Sequence, residues 1–298
     1  MRMKTTRSGY SPSRRVFVIG AAGATLVGCV TAQQTDAGVA EIESRLGGRI
    51  GVSAIDLSTE RRISHRADER FAMCSTFKWA LAALILREAE NGRLHLGESI
   101  PISRADLVPY APVIESRLSE DGAASMAVED LCMAAMGLSD NVAANLLLRL
   151  IGGPEGFTAR LRGLGDQTTR LDRWETDLNE NAPGDPRDTT TPNAMISLLQ
   201  AFLIGDALAD DSKERLAAWM IAATTGANRL RAGLPPEWIA GDKTGTSVNG
   251  AYNDVAFAVP TGRKPIFIAC YVNAPDASAA DANAAHADIA RRIASAFA

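Results

Sequence analysis

Residues 74–86 read CSTFKWALAALIL and place a serine and a lysine at the start of an apolar helix. A serine at a helix N-terminus lies beside unpaired backbone N–H groups and the positive end of the helix dipole. Lys78 follows Ser75 by three residues, so we expect its amine on the same helix face, near the serine hydroxyl. Such a pair can form an activated nucleophile, although a capping serine beside an exposed lysine has the same pattern.

The segments on either side of this helix predict strands near both ends of the chain and helices between them. The predicted elements are a helix over 36–47, two strands within 49–65, helices from about 75 to 220, two strands within 255–272, and a terminal helix carrying Ile289, Ile293 and Phe297. The Thr191-Pro192 pair predicts the start of one of the middle helices.

This order of elements predicts a two-lobed α/β (α+β) fold. We expect an antiparallel sheet flanked by the terminal helices, formed by residues 36–70 and 221–298, and an all-helical lobe formed by residues 71–220. A cleft between two such lobes is the expected place for a substrate site.

The composition of the chain excludes several classes of partner and cofactor. The 298 residues carry 31 basic and 35 acidic side chains, a net charge of −4, and the first 35 residues hold five of the basic ones and no acidic one. Because an acidic body is a poor partner for a phosphate backbone, nucleic-acid binding is not expected. The three histidines lie far apart, and the sequence has no CxxC or HExxH pair for zinc and no glycine-rich phosphate loop. We therefore expect neither a metal nor another cofactor, and with no histidine near Ser75 the base must be a lysine or a glutamate.

The amino-terminal segment predicts an export signal. Residues 1–15 are basic, and residues 16–28 form an apolar stretch that is shorter than the roughly 20 residues needed to span a bilayer. Residues 13–17, SRRVF, resemble the twin-arginine motif, which implies export after folding, although an arginine pair also occurs by chance in basic leaders.

Two endings of this signal fit the sequence. One is cleavage after Ala32. The other is a lipobox, LVGC at 26–29, which would make Cys29 a lipid-bearing first residue and the only membrane anchor. We assign residues 1–32 to the signal region, with the mature protein beginning at Cys29 if the lipobox is used, and either ending places the mature protein in a periplasm.

Three further clusters carry side chains suited to catalysis, and each alone has a structural explanation. The tripeptide SDN at 139–141 stands between two apolar helices, as a capped turn does. KTGT at 243–246 lies beside the late strands, where a lysine and two hydroxyls can bind a carboxylate and the glycine lets a ligand approach the backbone. RLDRWETDLN at 170–179 begins a loop that is rich in proline, glycine and charge and continues to Asp188. Loops of this length are usually functional or disordered, and a solvated charge run is the alternative.

These motifs together resemble the class A β-lactamases. STFK at 75–78, SDN at 139–141, ExxLN at 175–179 and KTGT at 243–246 match the four signatures of that family in order. Stretches such as MGLSDNVAANLLL, IGGPEGFT, TRLDRWETDLNE and RDTTTP extend the resemblance over 36–298. The resemblance implies one catalytic domain with a serine β-lactamase and penicillin-binding-protein-like fold. It also implies an exported serine hydrolase that opens the β-lactam ring of penicillins and cephalosporins without a cofactor.

The resemblance implies roles in the acylation step. Ser75 would attack the lactam carbonyl to form an acyl-enzyme, and the backbone N–H groups of Ser75 and Thr246 would form the oxyanion hole. Whether Lys78, or Glu175 acting through a water, removes the serine proton is disputed for this class. Ser139 would pass a proton to the leaving nitrogen.

The resemblance also implies how the acyl group is released. Glu175 and Asn179 would hold and deprotonate the water that frees it. Arg173 and Asp188 match the positions whose ion pair closes the active-site loop of the family.

A third set of matched positions would bind the substrate. Lys243, Thr244 and Thr246 would bind its carboxylate with help from Arg229, and Asn141 would hydrogen-bond its side-chain amide. The whole set is Tyr110 at the gate of the cleft, Asn141, Arg229, Lys243, Thr244, Gly245, Thr246 and Ser247.

The cysteines bear on the substrate spectrum. Thr246 and Arg229 occur together in carbapenem-hydrolysing members, which bridge the cysteine before the nucleophile to a cysteine just after KTGT. Cys74 is present, but Ser247 occupies the partner position, so penicillins and early cephalosporins are the expected substrates and carbapenems are in doubt.

A second disulfide of the family is excluded in the same way. It would join Cys132 to the position of Ala82, which is not a cysteine. Cys74, Cys132 and Cys270 are therefore expected as buried thiols.

Two other functions share parts of the pattern. A penicillin-binding transpeptidase or carboxypeptidase has SxxK and KTG-like motifs, but Glu175 and Asn179 argue against it because it lacks a deacylating glutamate in this loop. A β-lactam sensor or cell-wall-binding lipoprotein anchored at Cys29 would bind without turnover, but a sensor normally has a transmembrane partner segment, and none is visible. With no heptad repeat, we expect a monomer whose partners are small-molecule β-lactams.

Overall fold

The structure is a computed structural model, and it describes residues 38–298. The predicted signal peptide, its twin-arginine motif, the cleavage site after Ala32 and the lipobox at Cys29 lie outside the described residues. Between residues 38 and 298, no helix is long and apolar enough to cross a membrane.

At both ends of the chain the helices and strands follow the order that the periodicity predicts. The strands are β1 (Arg49–Asp56), β2 (Arg62–His65), β3 (Phe71–Ala72), β4 (Ser99–Ser103), β5 (Ala123–Ala127), β6 (Thr189–Thr190), β7 (Ile239–Thr246), β8 (Ala251–Val259) and β9 (Ile266–Asn273). The helices are α1 (Val39–Leu46), α2 (Phe77–Glu90), α3 (Pro112–Arg117), α4 (Val128–Gly137), α5 (Asn141–Leu150), α6 (Gly153–Gly163), α7 (Pro192–Leu203), α8 (Asp210–Ala222) and α9 (Ala279–Phe297).

Five strands from the two ends of the chain form one antiparallel sheet in the order β2-β1-β9-β8-β7. The first strand of the domain lies inside this sheet, because β1 pairs with the last strand, β9, over its whole length from Arg49–Asn273 to Asp56–Ile266. The edge strand β7 pairs with β8 from Ile239 to Thr246, so the KTGT motif ends an edge strand.

Helices cover both faces of the sheet. On one face, alternate strand residues pack against α1 and α9, whose buried stripe contains the predicted Ile289, Ile293 and Phe297. On the other face lies α7, which begins as predicted: the Thr191 hydroxyl caps it by accepting a hydrogen bond from Ala194 N at 3.1 Å. The predicted antiparallel sheet flanked by terminal helices is confirmed.

The helical region is built around α2. Eleven of its fourteen residues are buried, which is typical of a helix in the middle of a core rather than at a surface. Aromatic rings anchor it to its neighbours, since Phe77 meets Phe157 and Trp79 meets Phe202 edge to face. This packing fixes the first turn of α2, which carries Lys78.

The region is not purely helical, contrary to the expectation for residues 71–220. Two short antiparallel ladders lie in it, one between β4 and β5 and one between β3 and β6. These strands have only two to five residues, and β4 and β5 each bury one side chain, Ile102 and Met126. They were not predicted because so few residues do not show a recognisable alternation of apolar and polar side chains.

The three cysteines of the described residues are free thiols buried in the core, as expected. Burial raises the pKa of the Cys74, Cys132 and Cys270 thiols, so they remain protonated and inert at neutral pH. No group of three or more histidine, cysteine or carboxylate side chains within residues 38–298 is arranged to hold a metal ion.

Candidate active site

Ser75 lies in a 3-10 turn, Cys74–Thr76, that leads directly into α2. Three non-glycine residues around it have positive φ angles: Cys74 at 46°, Tyr110 at 64° and Ser139 at 59°. Each such conformation costs about 1–3 kcal/mol and persists only where the surrounding structure holds it, and such residues cluster at functional sites. The backbone around Ser75 is therefore held in place by its neighbours.

The carbonyl of Met73 shows how it is held. It accepts hydrogen bonds from the Thr76 hydroxyl at 2.8 Å and from Asn253 Nδ2 on β8 at 3.1 Å. A Cβ placed on Gly245 of β7 would lie only 2.6 Å from the same oxygen. The glycine of KTGT is thus required because the edge strand passes directly against the turn that carries Ser75.

The Glu175 carboxylate is the centre of the site. Its Oε1 accepts the Ser75 hydroxyl at 3.2 Å and lies 2.9 Å from Lys78 Nζ. Its Oε2 accepts Asn179 Nδ2 at 2.6 Å. The Lys78 amine and the Ser75 hydroxyl, which were expected to lie close together, therefore both contact the same carboxylate oxygen.

Asn145 of α5 positions Glu175, and it was not predicted from the sequence. Its side chain accepts from Glu175 N at 3.0 Å and donates to Glu175 O at 2.9 Å. The available signal was a polar residue in the otherwise apolar stretch VAANLLL, because a buried amide needs partners from another segment.

Lys78 is completely buried and fully paired. Besides Glu175, its amine donates to Ser139 O at 2.9 Å and to Asn141 Oδ1 at 2.5 Å. Burial lowers the pKa of Lys78, and the neighbouring Glu175 carboxylate opposes that effect. A lysine with a lowered pKa that contacts the same carboxylate oxygen as the Ser75 hydroxyl is chemically suited to proton transfer.

The Ser139 hydroxyl lies between two lysines. Lys243 Nζ donates to Ser139 Oγ at 3.0 Å, and Lys78 Nζ lies 3.4 Å from the same oxygen. Burial, and then the positive charge of Lys78, lower the pKa of Lys243 to about 7. The turn that carries Ser139 is held by Asp140, whose carboxylate accepts backbone N–H groups from α3 and from α5.

Asn141 joins this cluster to the rim of the cleft. Its Nδ2 donates to Pro109 O at 2.8 Å, and its backbone N donates to Tyr110 O at 3.1 Å. Tyr110 is 59% exposed, so it lies at the opening of the site rather than inside it.

Arg229 supports the β7 side of the site. Its guanidinium is largely buried and donates to Thr246 Oγ1 at 2.6 Å and to the carbonyls of Gly245 and Asn253 at 2.9 and 2.6 Å. Burial lowers the pKa of Arg229 from its usual value. The Thr244 hydroxyl, in the same strand, donates to Thr225 Oγ1 at 2.7 Å.

The loop that carries Glu175 is closed by the expected ion pair. Arg173 Nε lies 2.6 Å from Asp188 Oδ2, and the Asp188 carboxylate is fully buried. Its other oxygen accepts the backbone N–H groups of Asp172 at 2.7 Å and Arg173 at 3.0 Å. One carboxylate therefore closes the two ends of this segment.

The structure brings most of the predicted residues into one hydrogen-bonded network and places the others at its edges. The network contains Ser75, Lys78, Ser139, Asn141, Glu175, Asn179 and Lys243. The β7 wall contains Thr244, Gly245 and Thr246 with Arg229 behind them. Tyr110 lies at the rim, and the Ser247 hydroxyl donates to Asn179 O at 2.5 Å, so it faces the loop.

Comparison with known proteins gives concordant matches. A family model described as the beta-lactamase enzyme family matches residues 34–297. Beta-lactamase AST-1 of Nocardia asteroides is 49% identical over 263 residues, which are 88% of this chain and 84% of the relative. Carbapenem-hydrolyzing beta-lactamase KPC of Klebsiella oxytoca is 45% identical over 238 residues, 80% of each chain.

Comparison with solved structures leads to the same family. The solved structure of an ancestral (GNCA) class A beta-lactamase superposes with a TM-score of 0.85 at 49% identity and covers 88% of this chain and 99% of that one. Sequence and fold therefore point to one family over nearly the whole described chain.

Proposed function

The chain belongs to the beta-lactamase enzyme family as a class A β-lactamase, and from this premise we propose that it opens β-lactam rings through an acyl-enzyme on Ser75. The observation that carries this mechanism is the Glu175 carboxylate, which contacts the Ser75 hydroxyl, the Lys78 amine and the Asn179 amide at once. A single group in contact with a nucleophile, a second base and an amide can serve both halves of a covalent hydrolysis.

In the acylation half, Ser75 attacks the lactam carbonyl while its proton leaves to Glu175 or to Lys78. Two observations support these candidates: Glu175 accepts the Ser75 hydroxyl directly, and Lys78, whose pKa is lowered by burial, contacts the same Glu175 oxygen. The backbone N–H groups of Ser75 and Thr246 form the oxyanion hole, supported by the close approach of β7 to the Ser75 turn.

The leaving nitrogen needs a proton, and Ser139 supplies it. The hydroxyl of Ser139 accepts from Lys243 and lies within reach of Lys78, so a donated proton can be replaced from either amine. This step completes ring opening and leaves the acyl group on Ser75.

In the deacylation half, Glu175 and Asn179 hold and activate a water. Asn179 Oδ1 is buried, and no donor among residues 38–298 reaches it, so a water proton suits it. The adjacent Glu175 carboxylate then removes the other proton of that water as it attacks the ester, and the bond to Ser75 Oγ breaks as this oxygen takes up the proton from Glu175, which contacts it.

Substrate recognition is assigned to the β7 wall and the rim. Lys243, Thr244 and Thr246 bind the substrate carboxylate with Arg229, which orients the Thr246 hydroxyl. Asn141 binds the side-chain amide. The remaining members of this set are Tyr110 at the gate, Gly245 under the ligand, and Ser247 at the end of the strand.

We propose penicillins and early cephalosporins as the substrates. Carbapenem hydrolysis is the second candidate, since the Arg229–Thr246 contact is present and the KPC relative is named for that activity. The free Cys74 thiol weighs against it, because Ser247 leaves no partner for the bridge expected in carbapenem-hydrolysing members.

We also propose that the protein acts as an exported monomer in the periplasm, either soluble or anchored through a lipidated Cys29. The support is the basic and apolar leader of residues 1–32 with its SRRVF motif, which suits the twin-arginine route.

The test is the amount of product formed per enzyme molecule when the purified protein meets a simple penicillin, with Ser75→Ala as the control. Many turnovers by the unmutated protein and none by the variant are expected. A burst of one equivalent of product per enzyme molecule, with no further product, would instead support the penicillin-binding or sensor function, because Ser75 would be acylated and the acyl group would not be released.

A further inference from the structure

The tip of the β7–β8 hairpin binds the loop that carries Glu175. Ser247 Oγ donates to Asn179 O at 2.5 Å, and Asn249 Nδ2 donates to Glu180 O at 2.6 Å. In the other direction, Asn181 Nδ2 donates to Asn249 O at 3.0 Å. Three consecutive loop residues are thus attached to one turn, and we call these three hydrogen bonds the hairpin latch.

The hairpin side of the latch is rigid. Asn249 N donates to Ser247 Oγ at 3.0 Å, and Ala274 N, just after β9, donates to Gly250 O at 2.8 Å. Gly250 has a φ of 80°, and a Cβ there would lie 2.3 Å from Pro275 Cα, so the turn is seated directly on the chain after β9. The tip therefore provides a fixed support for the loop.

The loop side connects the latch to the reacting groups. Asn179 is held by the latch through its main-chain oxygen, and its Nδ2 donates to Glu175 Oε2 at 2.6 Å. A shift of residues 179–181 away from the hairpin therefore moves the amide that orients the carboxylate. The far end of the loop is fixed separately by Arg173 and Asp188.

We propose that Asn249 and Asn181 are positioning residues for deacylation, which hold residues 179–181 against the hairpin so that Asn179 and Glu175 keep the geometry needed to activate water. This inference rests on the proposed function. Neither side chain touches the Ser75 network, so each acts through the loop.

Acylation should depend on the latch much less than deacylation does, because Lys78, one of the two candidate bases, is also held outside the loop. The oxyanion-hole groups and Lys78 are held by the Ser75 turn, β7 and α2, with Lys78 also paired to Ser139 and Asn141. A loss of the latch is therefore expected to slow the release of the acyl group far more than its formation. A purely structural role would lower thermal stability and affect both steps equally.

The experiment compares Asn249→Ala and Asn181→Gly with the unmutated full chain. Asn249 is exposed, and glycine suits the φ of 51° at position 181, so both variants should fold. The matched control is Asn91→Ala, which removes an exposed amide that donates to Arg87 O at 2.8 Å, at the end of α2. Acylation and deacylation rates with a simple penicillin are measured by rapid quench and intact mass.

We expect deacylation to fall about five-fold in each latch variant, the effect of one lost hydrogen bond, with acylation changed less than about two-fold and Asn91→Ala unchanged in both. If the unmutated enzyme turns over, either of two results in the latch variants would overturn the proposal: equal losses in acylation and deacylation, or an unchanged deacylation rate.

Hydrogen exchange separates this proposal from the proposed function. In the same variants, amides of residues 176–184 should exchange faster than in the unmutated protein and in Asn91→Ala. Unchanged exchange in both latch variants rejects the latch even if the protein hydrolyses penicillin. An unmutated protein that acylates but does not turn over rejects the deacylation mechanism, and the exchange result then decides the attachment alone.

Discussion

Lys78 and Glu175 form an ion pair with 2.9 Å between Nζ and Oε1, and neither side chain is exposed to solvent. Such a pair is costly to bury unless its remaining donors and acceptors are satisfied. Here Lys78 also has Ser139 and Asn141, and Glu175 also has Ser75 and Asn179. The two candidate bases are therefore one connected unit, and changing either one alters the other.

Glu175→Gln should separate the two halves of the reaction. The amide keeps the shape of the side chain but cannot remove a proton from water, so deacylation should fall by about 10²–10⁴. Intact mass after mixing with a simple penicillin should show a long-lived adduct on Ser75. Glu214→Gln, an exposed carboxylate on α8, is the control and should leave turnover unchanged. Release of free product at the unmutated rate by Glu175→Gln would contradict the assigned role.

Asp188→Asn should loosen the loop. The substitution removes the charge that faces Arg173 and weakens the acceptor of two backbone N–H groups, so we expect unfolding to become easier by about 1–3 kcal/mol. Limited proteolysis should cut faster within residues 170–188. Asp210→Asn removes an exposed carboxylate paired with Lys213 and should change stability by less than about 1 kcal/mol. Equal cleavage in both variants would show that the ion pair does not close the loop.

Gly245→Ala should reduce acylation without unfolding the protein. The added Cβ would meet Met73 O at 2.6 Å and Thr76 N at 3.0 Å, so β7 must move away from the Ser75 turn. If this displaces one oxyanion-hole donor, the acylation rate should fall by about 10²–10³. Gly97→Ala is the matched control, because nothing lies within 4 Å of the Cβ that it would add. An unchanged acylation rate in Gly245→Ala would mean that the strand does not supply this donor.

The alkaline limb of the pH profile should report Lys243. Its pKa is lowered to about 7 by burial and by the charge of Lys78, so in the free enzyme it is charged below about pH 7 and neutral above it. Since a neutral amine binds a carboxylate poorly, kcat/KM should fall as pH rises through 7. Lys243→Arg should move this limb to higher pH, because a guanidinium stays charged. A limb at the same pH in both proteins would assign it to another group.

Sequence predicted those parts of the molecule whose signal is local. The apolar period of α9, the cap at Thr191 and the motifs around Ser75 and Lys243 are each contained in a few consecutive residues. These segments place the sheet, the helices and the principal residues of the site.

Contacts between distant segments could not be predicted in this way. Asn145 pairs with the backbone of Glu175, and Asn249 pairs with that of Glu180, but neither asparagine carries a motif of its own. A polar side chain in a helix or a turn satisfies its hydrogen bonds wherever the fold brings a partner, so its role appears only with the tertiary structure. The ladder of β4 and β5 was missed for a related reason, since strands of five residues show little alternation.

The position of β1 inside the sheet also has a consequence for biosynthesis. Val52 pairs with Cys270, so the hydrogen bonds of β1, which leaves the ribosome early, are complete only after the last strand, β9, has been synthesised. Until then the nascent chain presents an unpaired strand edge, which is a site for aggregation and for chaperone capture. A premature stop codon anywhere before β9 should therefore yield an insoluble product rather than a shortened enzyme.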